Sequence, residues 1–313
     1  MKPLPTATNR ENTMMTERIA LIGAGSAGSA IVLALHQAGY PIIGVASRSQ
    51  ASAQACADRI NNPLATTDVA KVVVNADIIF IATPDDQITT VCQSIAERGV
   101  IRPGQLFIHL SGALTSNALE SARLKGAETL SLHPIQAFAD PVKGAALLKT
   151  TYFCLEGNTE AVAKAMGLVE SLSGKTLVVP ADKKALYHAS LCIASNYLVT
   201  LESVAVSLLE QIGIDRTVGM QAILPLIQGS VENLLHTGLP GALTGPISRG
   251  DTDTIAHHVD SLREMPAAYQ ALYRMLGHET IQLALEKGGL DNEEAEQIQL
   301  LLTPQPPDEC LIS

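Results

Sequence analysis

The stretch GAGSAG, residues 23–28, narrows what this chain can fold into more than any other feature. It follows the apolar run at residues 18–22 and opens an alanine-rich stretch at residues 27–38. Gly23 suits a tight turn, Gly25 a close approach of backbone to an anion, and Gly28 close packing of helix on strand. The first N–H groups of such a helix lack intrahelical acceptors and point outward, where a pyrophosphate can sit. Strand, turn and helix in that order predict a dinucleotide site formed by Gly23, Gly25, Ser26, Ala27 and Gly28.

The chain beyond this motif supplies the sheet that such a site needs. Short apolar runs alternate with helical stretches up to about Pro180, and RIALIG, YPIIGVAS, ADIIFIAT, GQLFIHLSG, AETLSLHP, TYFCLEG and GKTLVVP read as strands. Helices are expected at residues 27–38, 52–59, 88–98 and 159–173. The rhythm predicts an α/β fold, a Rossmann-type doubly wound parallel sheet over residues 17–180. Strand signals then vanish, which predicts an all-helical second domain over residues 181–302, interrupted by a glycine- and proline-rich loop at 238–253. Its first helix is expected to run from residue 181 towards 213, long enough to leave apolar surface for a second copy of the chain and hence a homodimer. Residues 1–16 and 303–313 read as a disordered extension and tail.

An NAD site places an acid at the tip of the second strand to take the ribose hydroxyls. Here GVASRS puts Ser47, Arg48 and Ser49 at that tip. Hydroxyls and a guanidinium suit a 2′-phosphate, so NADP is the expected cofactor. Ligands of open α/β sheets bind beyond the carboxyl ends of the strands. Thr83 and Pro84, followed by Asp85, occupy one such tip against the cofactor, His109 and Ser111 the next, and His133 a third. Ser111 and His133 are expected to face the nicotinamide, and His109 to be structural.

In the helical domain, Lys184, His188, Cys192 and Asn196 are spaced by four and drift slowly along one helix face. Hydride transfer to a ketone creates alkoxide charge, for which Lys184, His188 or His133 is a candidate proton donor and Asn196 a candidate oxygen ligand. Arg249 and Asp251 are candidates for substrate binding, with Arg249 gripping a carboxylate through two hydrogen bonds; equally, the two can pair and stabilise their loop. His257 and His258 are adjacent and point apart on a helix, which speaks against a shared metal.

Composition bears on the remaining classes. A formal net charge of −10 disfavours nucleic acid and anionic lipid as partners. Five cysteines without a C-x-x-C pair argue against zinc and disulfides and predict reduced thiols in the cytoplasm. No unbroken apolar run approaches the ~20 residues of a membrane span, so no membrane association is expected.

In order, GAGSAG, IFIATPDDQI, HLSG, HPIQAF, YHASLCIASN and LTGPISRGD resemble a family in which an NADP-binding Rossmann-like domain precedes the helical domain DUF2520, over about residues 18–285. That family is similar to the 6-phosphogluconate dehydrogenase-like reductases, whose helical domain builds a dimer and closes the cleft. Ketopantoate reductase, pyrroline-carboxylate reductase and prephenate dehydrogenase are its relatives. The resemblance implies hydride transfer between NADPH and a small carbonyl substrate, most concretely a 2-oxo acid such as ketopantoate. Lys184 and Asn196 match the ketopantoate reductase pattern approximately, and His188 departs from it. The alternatives are a non-catalytic NADP sensor, a deazaflavin-dependent enzyme, and a prephenate dehydrogenase-like enzyme, whose histidine–proline step resembles His133 and Pro134.

Overall fold

The computed structural model describes residues 17–304; the expected extension at 1–16, and residues 305–313 of the expected tail, lie outside the described residues. The described residues divide into two compact units, the first ending at Asn196 and the second beginning at Tyr197.

The first unit holds an eight-stranded sheet of β1 (Ile19–Ile22), β2 (Ile42–Ala46), β3 (Leu64–Thr66), β4 (Ile78–Ile81), β5 (Leu106–His109), β6 (Glu128–Pro134), β7 (Tyr152–Gly157) and β8 (Lys175–Val178). Their spatial order is β3-β2-β1-β4-β5-β6-β7-β8. Continuous apolar runs become central strands because both faces are covered. Ile19 and Leu21 face one core while Ala20 and Ile22 face the other; on β4, Ile78 and Phe80 oppose Ile79 and Ile81 in the same way. The order reverses between β1 and β4, which opens the crevice where ligands of such sheets bind.

Helices α1 (Ser26–Gln37), α2 (Gln50–Ala57), α3 (Val69–Val73), α4 (Asp85–Glu97), α5 (Glu120–Arg123), α6 (Pro141–Leu147), α7 (Thr159–Ser171) and α8 (Lys184–Leu191) complete this unit. Their starts follow local chemistry: Asp68 caps α3, Asn158 caps α7, and Asp140 followed by proline opens α6.

The doubly wound parallel sheet expected from the sequence is present, with one departure: β7 runs antiparallel to β6. The connection at residues 135–151 carries the short α6 and a 3-10 turn, Leu148–Thr150, and turns back instead of crossing over. Residues 181–196, which sequence alone assigns to the helical domain, belong to the first compact unit. Lys184 and Tyr187 tie them to β6 and β7.

The second unit is helical: α9 (Tyr197–Gln211), α10 (Arg216–Gly241), α11 (Thr252–Ser261), α12 (Ala267–Lys287) and α13 (Asn292–Leu302). Ile255, Ile281, Ala284, Ile298 and Leu302 form its core. The backbone leaves helical geometry at Gly238, where φ is 63°, and the glycine-rich loop begins there as expected.

The helical run Ala181–Gln211 is more apolar on average than a count of unbroken apolar residues suggests. It includes an 18-residue window of mean hydropathy 1.5, only 6% of it buried, so by length and composition alone it is long and apolar enough to cross a membrane. Counting unbroken apolar residues missed it because His188, Ser190, Ser195, Asn196, Thr200 and Glu202 interrupt the apolar run.

Candidate active site

The glycine motif forms the turn between β1 and α1. Gly23 has φ of 98° and donates its N–H to the Ala46 carbonyl at 2.8 Å. A Cβ at Gly23 would stand 2.6 Å from the Ala82 carbonyl carbon and oxygen, and one at Gly28 would stand 2.6 Å from the Gly23 oxygen. Both positions therefore exclude side chains so that β1, α1 and the tip of β4 can meet. At Gly25, by contrast, no heavy atom of the described residues lies within 4 Å of an added Cβ, and no side chain caps α1. Ser26, Ala27 and Gly28 thus begin a helix whose N-terminus faces open space.

Beside this cradle, Thr83 has a buried hydroxyl with no hydrogen-bond partner, a state that an incoming ligand would relieve. Pro84 follows it, exposed, at the start of α4. At the β2 tip, Ser47 donates its N–H to Thr66, Arg48 is exposed, and Ser49 caps α2 by accepting from Ser52 while its hydroxyl proton stays available. Glycine cradle, orphaned hydroxyl and cationic tip fit a phosphorylated dinucleotide. Among the described residues, no group of three or more His, Cys, Asp or Glu side chains could hold a metal.

The alternation in ETLSLHP gives β6 one apolar face, with Leu130 and Leu132 in the core, and one polar face of Thr129, Ser131 and His133. Its neighbours match this polar face: His109 lies opposite Ser131 on β5, and Glu156 and Cys154 lie opposite Ser131 and His133 on β7. Glu156 is buried and accepts both the N–H and the hydroxyl of Ser116, at 2.6 and 2.9 Å. Lys184, from α8, packs onto the stripe with 1% of its surface exposed. Its Nζ donates to Ser131 Oγ at 2.7 Å and lies 3.9 Å from Cys154 Sγ. Burial lowers the Lys184 pKa, and the neighbouring Cys154 and Glu156 oppose that shift.

His109 is built into the scaffold. Its Nδ1 accepts the Ser111 N–H at 3.2 Å and its Nε2 meets the Thr115 carbonyl at 3.0 Å, which requires a neutral ring protonated on Nε2. Burial pushes its pKa down to about 4.

His133 faces a different setting. Its Nδ1 lies 2.7 Å from the Tyr187 hydroxyl, and its ring meets those of Tyr187 and His188 edge-on at 5.9 and 6.2 Å. Burial, then the Lys184 charge, pushes its pKa down to about 4. A Cβ on Gly112 would stand 2.9 Å from His133 Nε2 and 2.7 Å from His188 Cδ2, so the absence of a side chain there lets the rings approach.

The candidate residues therefore fare differently. Ser111 donates to Asp85 at 2.6 Å and accepts from the Ala113 and Leu114 N–H groups, so it joins the β4 and β5 tips. His133, His188 and Lys184 come together, with Lys184 beneath the surface. Asn196 ends a π-helical turn, Cys192–Asn196, and is exposed. That turn shifts the helix register, so the face set by four-residue spacing does not continue through it. Arg249 and Asp251 lie in the second unit, where Arg249 is exposed and Asp251 caps α11, accepting the Thr254 N–H and hydroxyl at 3.1 and 2.8 Å. Tyr187, Ser131, Cys154 and Glu156 were not among the candidates; the polar alternation of β6 was the available signal for Ser131.

A family model for a Rossmann-like domain matches residues 5–134, and one for a domain of unknown function, DUF2520, matches residues 151–280. The fold is similar to that of a proposed NADP oxidoreductase from Bacteroides fragilis, at 24% identity and a TM-score of 0.67, covering 86% of this chain and 100% of that one. It is also similar to a protein from Thermotoga maritima, at 23% identity and a TM-score of 0.68, covering 86% and 99% of the two chains. A pyrroline carboxylate reductase from Plasmodium falciparum with NADP bound is similar at 16% identity and a TM-score of 0.52, covering 93% and 100%. No curated protein matches the chain.

Proposed function

We propose, for a chain that belongs to the family joining a Rossmann-like domain to DUF2520, an NADP-dependent reductase of a small carbonyl compound, most concretely a 2-oxo acid such as ketopantoate. The observation that supports this most is that the phosphate cradle and the histidine cluster share the carboxyl ends of neighbouring strands. Thr83 follows β4, Ser111 bonded to Asp85 follows β5, and His133 lies near the end of β6. A pyrroline carboxylate reductase of similar fold binds NADP, which agrees with the cofactor assignment.

When bound, NADPH supplies the hydride. Gly23, Gly25, Ser26, Ala27 and Gly28 seat its pyrophosphate, Thr83 offers its buried hydroxyl, Pro84 shapes the adjoining wall, and Ser47, Arg48 and Ser49 take the 2′-phosphate. The substrate oxygen then needs a proton. His133 is neutral at pH 7 and has Nε2 beside Gly112, so it is assigned as donor, with His188 as neighbouring contact. Lys184 lies too deep to touch substrate and acts on the histidine from below.

The same reading takes a homodimer as the working form. Val199, Leu226 and Leu235 expose 71, 72 and 79% of their surface in the second unit, more apolar area than a lone protomer ordinarily leaves in water. The thiols of Cys56, Cys92, Cys154 and Cys192 are unpaired, as suits a cytoplasmic protein.

The test is NADPH oxidation against a panel of 2-oxo acids and cyclic imines. Turnover of a 2-oxo acid, reduced by about 10²-fold or more in His133→Asn, is expected. Absence of turnover, together with no substrate-induced stabilisation of the NADPH complex, contradicts the proposal.

A further inference from the structure

Carbonyl reduction leaves charge on the substrate oxygen, and a neutral imidazole gives up its proton reluctantly, so a second donor is needed to hold that charge. The turn after β5 contains one. The backbone N–H groups of Ser111, Ala113 and Leu114 are all bonded inside the turn, the first to His109 Nδ1 at 3.2 Å and the others to Ser111 Oγ at 3.1 and 3.0 Å. Gly112 between them is buried, and its N–H has no acceptor among the described residues. A buried amide without an acceptor is rare, because it forfeits the bond it made to water, and an arriving ligand oxygen would restore that bond.

The direction of this N–H is set by its own peptide unit. In a planar trans peptide the C=O and the N–H point opposite ways. The Ser111 carbonyl accepts the Ser131 hydroxyl at 3.2 Å, and Lys184 Nζ donates in turn to Ser131 Oγ at 2.7 Å. The carbonyl is thereby held towards the buried polar stripe, which turns the Gly112 N–H away from it. Its location follows from the missing side chain. A Cβ on Gly112 would stand 2.9 Å from His133 Nε2, and since Cβ and the amide nitrogen share one Cα, that nitrogen lies at most about 6 Å from Nε2. An oxygen placed between donors so spaced can reach both at ordinary hydrogen-bond length.

We propose that the Gly112 N–H binds the substrate carbonyl oxygen and, with His133 Nε2, forms an oxyanion hole. Ser131 and Lys184 are positioning residues that hold the Ser111–Gly112 peptide in the required orientation without touching substrate. The assignment rests on the reductase reading.

The first test is NMR of the unmodified protein with carbon-labelled serine carbonyls and nitrogen-labelled glycine amides, which selects glycines that follow a serine. Gly112 and Gly174 are the two such residues. Gly174 donates to the Val169 carbonyl at 3.0 Å and serves as the internal standard. The Gly112 amide proton is expected to move downfield when ketopantoate joins the NADP+ complex, in which no hydride is available, while that of Gly174 stays in place. Movement complete with NADP+ alone, or none when ketopantoate saturates the complex, overturns the proposal. The second test replaces Gly112 by glycolic acid, which exchanges the N–H for an ester oxygen. With the panel of 2-oxo acids, kcat/KM should fall about 10²–10³-fold, with thermal stability and NADPH affinity retained because the N–H makes no bond in the ligand-free protein. Turnover within a few-fold of the unmodified protein, or a marked loss of thermal stability, overturns the assignment alone. If the unmodified protein reduces no carbonyl compound, the reductase reading fails and the assignment fails with it.

Discussion

Acid should destabilise this protein in part through a histidine outside the proposed chemistry, His109. His109 sits in the β5 end with no exposed surface, both ring nitrogens committed to backbone groups. Its pKa falls from the ordinary 6.5 to about 4 on folding. Between those values the unfolded chain binds a proton that the folded one refuses, so stability falls as pH drops from about 6.5 to about 4 and is unaffected by this group above that window. At about 1.4 kcal/mol per tenfold change in proton affinity, the loss is about 3 kcal/mol, a large part of a typical domain's stability. The chain has no tryptophan, so urea unfolding is best followed by circular dichroism. His109→Gln should be less stable than the unmodified protein at pH 7 but lose less on acidification, and the gap should shrink by about 3 kcal/mol by pH 4. Carboxylates titrate in both proteins and cancel in the comparison. Parallel stability curves would refute the reasoning.

Other expectations follow from the same geometry. Gly112→Ala drives a methyl group into the His133 and His188 rings; a stability loss of about 1–3 kcal/mol and a fall in turnover are expected, with NADPH affinity retained by calorimetry. Gly23→Ala meets backbone atoms at 2.6 Å, which cannot swing aside, so NADPH binding should be lost and thermal stability reduced. Sedimentation at micromolar concentration should give a dimer, and Leu226→Glu combined with Leu235→Glu should shift it towards monomer.

The parts legible in the sequence are those set by local rules. GAGSAG announced its turn because few other sequences let a strand, a helix and a neighbouring strand tip approach so closely. Seven strands were readable from apolar runs, whereas β3, three residues long and without such a run, was not. The direction of β7 depends on how a connection packs, which apolar periodicity does not encode. Lys184, His133 and His188 were all found as chemistry-bearing residues, but the burial of Lys184 was not. A lysine near a helix start is usually solvated, and only the polar stripe of β6 and β7 makes its burial tolerable. Four-residue spacing also suggested one face from Lys184 to Asn196, and a single π-helical turn interrupts it.

The central claim is that this chain uses a phosphorylated dinucleotide, and calorimetric titration with NADPH and NADH tests it most directly. Arg48 is exposed at the β2 tip between two serines, the Thr83 hydroxyl is buried without a partner, and α1 begins without a side-chain cap. NADPH should bind about tenfold or more tightly than NADH, since the guanidinium gains charge-assisted hydrogen bonds only with the 2′-phosphate. Arg48→Ala should remove most of that difference while leaving NADH affinity nearly unchanged. Equal affinities in the unmodified protein, or no binding of either nucleotide, would contradict the account.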